Sequence, residues 1–172
     1  MENKVTVSQI GVRYGLIFGL VMIVYTLILQ ISGMATNQWL SNASFILLII
    51  VIIIAHKAFK EGGDGFMTIG QGIGIGTLLS LISGVISSVF LFIYLKFVDD
   101  SMLQMVRDEQ IEKMSQQGMD DAQIEQAMEM AGKFMGPVAI LIFGIIGSVL
   151  GGLILSLIIS LFTKKANPAA EV

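Results

Sequence analysis

The chain has 172 residues, 55% of them hydrophobic and 13% charged, with a mean hydropathy of +0.84; a soluble fold of this composition would leave large apolar patches in water. Ten Lys and Arg against thirteen Asp and Glu give a formal charge of -3, and no basic run exceeds the pair Lys164 and Lys165, so nucleic acid is excluded as a partner. With no cysteine and a single histidine, disulfides, thiol nucleophiles and His- or Cys-rich metal sites are excluded too.

The charged residues divide what is left. No Lys, Arg, Asp or Glu lies between Arg13 and Lys57, and a polar break at 32–38 splits that stretch into two spans, about 14–32 and 39–56. Two further charge-free stretches give spans at about 68–95 and 136–162. Both exceed the roughly 20 residues that cross a hydrocarbon core, so they must tilt, kink or project. The expected fold is all-α: a single polytopic membrane domain of four spans, with an outward helical segment at 96–135. Gly33, Met34 and Ala35 form a small-x-small pattern that resembles a signal-peptidase site. The apolar stretch before it is too long, and Arg13 too deep, for a typical leader, and the segment is kept as span one. Lys4, Arg13, Lys57, Lys60, Lys164 and Lys165 fall on one side of a four-span chain, which makes that side cytoplasmic and puts both termini there.

Hydrophobicity inserts such helices but does not join them, because lipid is as apolar as leucine; close approach at small residues is the expected adhesive term. Small residues recur every fourth position in three spans: Gly11, Gly15 and Gly19 in the first; Gly72, Gly76, Ser80, Gly84 and Ser88 in the third; Gly144, Ser148, Gly152 and Ser156 in the fourth. Each set lies along one helical face and is read as a packing seam of glycine-zipper type. Span two has an unbroken apolar run from Phe45 to Ile54 and is expected to be peripheral and lipid-facing. Gly70, Gly72, Gly74 and Gly76 mark a weak, kink-prone start of span three beside Gln71.

Between spans three and four, residues 96–133 carry four basic and nine acidic groups. A first helix is expected over 102–116 and ends at Gly118. A second begins at Asp120, which caps it while Gln123 answers and Met119 staples onto Ile124. Ile124, Ala127, Met128, Ala131 and Met135 continue one apolar face. With seven methionines nearby, that face suits either partner docking or contact with the membrane and the span ends.

The search for chemistry finds no catalytic set. Ionisable groups inside spans are costly and therefore functional when present, and none lies within these. His56, beside Lys57, is read as an interfacial helix-end residue, and Arg13 as a snorkelling anchor. Gln71 is the most notable buried polar group and a candidate polar bridge between helices. The loop at 56–66 lacks the Gly-Lys-Ser/Thr ending of a phosphate loop. The neighbouring acids Asp99 and Asp100, and Asp108 and Glu109, point apart and are not a metal site. No cofactor is expected.

Phe66 to Gly72, reading Phe-Met-Thr-Ile-Gly-Gln-Gly, and Gly118 to Pro137, with Gly-Met-Asp-Asp-Ala-Gln-Ile-Glu-Gln-Ala-Met and Lys-Phe-Met-Gly-Pro, carry a resemblance that covers nearly the whole chain. The sequence resembles the domain-of-unknown-function family numbered 4199, integral membrane proteins of bacteria, mainly Bacteroidetes. The resemblance implies four spans, a helical outer segment and a place in the bacterial inner membrane; it brings no activity. Members usually have an aromatic or bulky residue just before the Gly-Gln step, where Thr68 and Ile69 stand here. The function expected is that of a small structural or accessory membrane protein that binds a membrane protein partner or a second copy of itself. A transporter or channel component is the alternative, and a membrane enzyme the least favoured.

Overall fold

A computed structural model describes residues 5–34, 37–132, 134 and 136–165. Its helices follow in the order α1 (Val7–Ile31), α2 (Gln38–Glu61), α3 (Ile69–Phe97), α4 (Ser101–Gln116), α5 (Asp121–Gly132) and α6 (Pro137–Thr163). Four of them, α1, α2, α3 and α6, are long and apolar enough to cross a membrane. The protein is an all-α polytopic membrane protein, with α4 and α5 forming a hairpin between the third and fourth spans.

Local chemistry sets the helix ends. Thr6 and Gln9 close a reciprocal capping box, so α1 starts at Val7, ahead of the apolar segment, and carries Gly11 and Arg13 within its first two turns. Thr68 and Gln71 form the same device at the start of α3. It stiffens the glycine-rich turn, and α3 runs unbroken through Gly70, Gly72, Gly74 and Gly76. Asp120 and Gln123 form the expected box before α5, with Gln123 N–H donating to Asp120 over 2.8 Å. Gly118, at φ +81°, makes the left-handed turn that ends α4. Pro137 opens α6, where its missing N–H leaves no bond unmade.

α3 is the central helix, packed between α1 and α6, and α2 leans across all three. The two ends of the bundle differ. At the termini end, where Val5 and Lys165 lie, the chain is cross-tied. Met67 and Lys165 exchange two backbone hydrogen bonds of 3.0 Å, Val5 N–H reaches the Gly62 carbonyl at 3.4 Å, and Lys60 Nζ donates to the Thr163 carbonyl at 3.0 Å. Ile10, Phe18, Ala55, Phe59, Met67, Ile75 and Leu79 form the buried cluster there. At the hairpin end the ties described are side-chain bonds: Tyr25 O–H donates to the Leu40 carbonyl at 2.6 Å, and Gln30 Nε2 lies 3.1 Å from Met102 Sδ.

Span two is peripheral, as expected, except in its lower turns. Ile46, Ile50, Ile53 and Ile54 are exposed as a lipid-facing side should be, but Ile52, Ala55, His56 and Phe59 are buried. The lower turns of α2 are core because α3 and α6 close against them; a residue-by-residue hydropathy reading sees no difference between the two faces of an all-aliphatic run.

Candidate functional site

The interlock of α3 with α6 is built from matched pairs. Gly72 meets Ser160, Gly76 meets Ser156, Gly152 meets Ser80, Gly84 meets Ser148 and Gly144 meets Ser88. The partner numbers fall as the α3 numbers rise, as antiparallel helices require. In every pair one helix supplies glycine and the other serine. A Cβ built on any of these glycines would collide with the serine opposite. Each serine thus occupies the space that the absent side chain leaves. Two of the five serine hydroxyls turn to carbonyls, Ser148 to Ile145 at 2.8 Å, and Ser156 to Leu153 at 3.1 Å and across to Ile73 at 3.4 Å, whereas those of Ser80 and Ser160 are buried without a hydrogen-bond partner among the described residues.

α1 and α3 use a different scheme. Gly11, Gly15 and Gly19 form a groove that receives Leu78, Ile82 and Ile86 in parallel register. A Cβ at Gly15 would lie 2.9 Å from both Ile82 Cβ and the Leu79 carbonyl oxygen. The alternating glycines at the start of α3 follow from its central place: Gly72 and Gly76 face α6, whereas a Cβ at Gly74 would lie 3.1 Å from Val7 of α1.

A cleft of about 330 Å³ lies between α1, α2, α3 and α6. Ser83, Ser87 and Ser88 of α3, Gly147 and Ser148 of α6, and Phe45 of α2 are among its walls. It shares Met22, Ser44 and Phe45 with a second cavity of about 320 Å³ that extends to Gln30 and Met102. The two cavities adjoin at these residues, one walled largely by serines and the other reaching Gln30, an arrangement invisible in the sequence because helices far apart along the chain supply the walls.

Gln71, expected as a bridge between helices, spends its side-chain oxygen inside its own helix, accepting from Thr68 N–H at 2.8 Å. The Thr-x-x-Gln spacing that signals this was present in the sequence. On the hairpin, Ile124, Ala127, Met128 and Ala131 are half-buried, and Met135 lies outside the described residues. Met119, Gln123, Gln126, Ala127 and Met130 border an open hollow on α5. Among the described residues, no three His, Cys, Asp or Glu side chains gather to hold a metal ion.

His56 corrects the interfacial reading. It is 0% exposed and clips three spans together: its Nε2 lies 3.0 Å from the Gly72 carbonyl oxygen of α3 and its Nδ1 2.8 Å from Thr163 Oγ1 of α6. The signal missed is distance along the helix. α2 continues to Glu61, so His56 is more than a turn from the helix end, and Lys57 is exposed on another face.

Fold and site together define a compact polytopic membrane protein whose spans are joined by small-residue seams and whose polar groups sit at helix crossings. The chain belongs to the family described as Protein of unknown function (DUF4199), which it matches over residues 13–165. No curated protein and no solved structure matches it.

Proposed function

We propose that the protein is a structural or accessory component of a bacterial inner membrane, in which the four-helix bundle anchors the α4–α5 hairpin and the hairpin docks another membrane protein or a second copy of the chain. The observation that carries this reading is the contrast in packing: α4 and α5 contain no buried residue, whereas the spans interlock pair by pair. A hairpin so weakly held by its own chain has its apolar face, with Ile124, Ala127, Met128 and Ala131, available to a neighbour. Lys57, Lys60, Lys164 and Lys165 at the termini end, against the acidic hairpin, support a cytoplasmic position for the termini. Crosslinking of tagged protein in intact membranes, followed by mild-detergent purification, tests it. One stoichiometric partner released by Met128→Ser with Ala131→Glu is expected; a chain recovered alone in every detergent refutes it.

The cleft favours a second reading, a component of a transporter or channel. Gly147 borders the cleft with open space around it, so Gly147→Leu fills the cleft without disturbing the seam. Reconstituted protein that passes a solute or ion should lose that flux in this variant, and absence of flux across a broad panel counts against the reading.

A further inference from the structure

His56 is the one titratable side chain among the described residues that is fully buried between spans, and neither reading above uses it. Its hydrogen bonds constrain its proton. The Gly72 carbonyl can only accept, so Nε2, 3.0 Å away, carries a hydrogen. The ring's other nitrogen faces the Thr163 hydroxyl, which also lies 2.9 Å from the Ile159 carbonyl. One hydroxyl has one hydrogen. With a neutral ring, Thr163 donates to Nδ1 and leaves Ile159. With a doubly protonated ring, Nδ1–H donates to Thr163 Oγ1, and the hydroxyl turns to Ile159. Proton uptake at His56 is therefore coupled to rotation of a hydroxyl on α6.

The surroundings decide which form holds the helices together. On α2, Lys60 is one turn from His56 and donates to the Thr163 carbonyl; Lys57 and Glu61 pair with each other on the exposed side. α6 brings Lys164 and Lys165 just past its end, Lys165 with its Nζ 5.5 Å from the centre of the Phe66 ring. α3 brings no charge before Lys96, α1 brings only the exposed Arg13, and the loop brings Asp64, which accepts from Phe66 N–H. An imidazolium in this place would stand beside Lys60 with no carboxylate among the described residues bonded to it.

We infer that His56, Thr163 and Gly72 form a proton-responsive latch that holds α2 against α3 and α6 at the termini end and loosens when the ring takes up a second proton, not by losing these hydrogen bonds, which the doubly protonated ring retains, but by the buried charge it sets beside Lys60. The latch closes the bundle beneath the serine-bearing cleft, so its release is the movement that would extend the cleft toward the opposite surface. It holds whether or not a partner docks on the hairpin.

Spin labels at Lys57→Cys and Lys164→Cys in the full-length protein, reconstituted in lipid nanodiscs, read the separation of α2 and α6. A shift to longer distances between pH 8 and pH 5 is expected with His56 in place, and none with His56→Gln, which donates to a carbonyl but does not titrate. A distance unchanged by pH in the His56 protein, or the same shift in His56→Gln, overturns the latch. Nitrogen-15 NMR of the ring in the unsubstituted protein gives a check that needs no variant: at pH 8 the hydrogen should sit on Nε2, and a neutral ring protonated on Nδ1 overturns the assignment.

Discussion

The Gly84 and Ser148 pair allows shape to be separated from composition. Gly84→Ser alone sets a second side chain where Ser148 already lies. It should cost about 1–3 kcal/mol, the usual range for overpacking, seen as a lower thermal unfolding midpoint in detergent. Adding Ser148→Gly restores one glycine and one serine at the crossing and should recover most of the loss. If the two substitutions are merely additive, the pairwise fit is refuted. Gly147 has nothing within 4 Å of a built Cβ, so Gly147→Ala should be neutral or stabilising by up to about 1 kcal/mol. Every fourth position of these seams was readable in the sequence because small residues interrupt an otherwise large-apolar helix. That glycine always faces serine was not, because the match depends on an antiparallel register that neither helix encodes alone.

α2 shows how one helix serves two environments. Ile52→Ala removes a fully buried side chain at the termini end and should cost about 2–5 kcal/mol, whereas Ile50→Ala, on an exposed side, should change the unfolding midpoint little. Comparable losses at both would mean that α2 is not divided in this way. The hairpin is governed by its ends. Asp99 precedes α4 and accepts from Ser101 N–H at 2.9 Å. Hydrogen bonds from the Ser101 side chain and backbone hold its carboxyl below the usual carboxylate range. The ionised form is the one the fold favours, so its contribution is complete above the ordinary carboxylate value and fades as pH falls through the lowered one. Amide exchange at the first turn of α4 should accelerate across that acidic window, and Asp99→Asn should remove the pH dependence. The caps at Asp120 and Gln123 were legible because a capping box is local. The box at Thr68 and Gln71 was equally local, yet an amide near a span invited a longer-range role.

The bundle taken as one object is clamped at the termini end and open at the other. Backbone amides in the lower turns of α2 and α6 should therefore exchange more slowly than those near Leu40 and Val138, and uniform protection along both helices would contradict this division. Four crossings also require that Lys60→Cys and Gln110→Cys react with impermeant reagent from opposite faces of the membrane. Labelling of both from one side would break the topology. His56 belongs to this level as well. Its sequence neighbours, an alanine and a lysine, mark it as a boundary residue; its burial comes from Gly72 and Thr163, 16 and 107 positions away.

The four apolar helices, the two helices between the third and the fourth, and the recurrence of small residues every fourth position were all present in the linear chain. Hydropathy, helix periodicity and capping act over a few neighbouring residues and can be summed along it. Which seam meets which, the burial of the lower half of α2, the cleft and the clip at His56 came only with the packed structure. In lipid, apolar surface does not choose its partner; backbone approach and hydrogen bonds do, and those are fixed jointly by helices far apart in sequence.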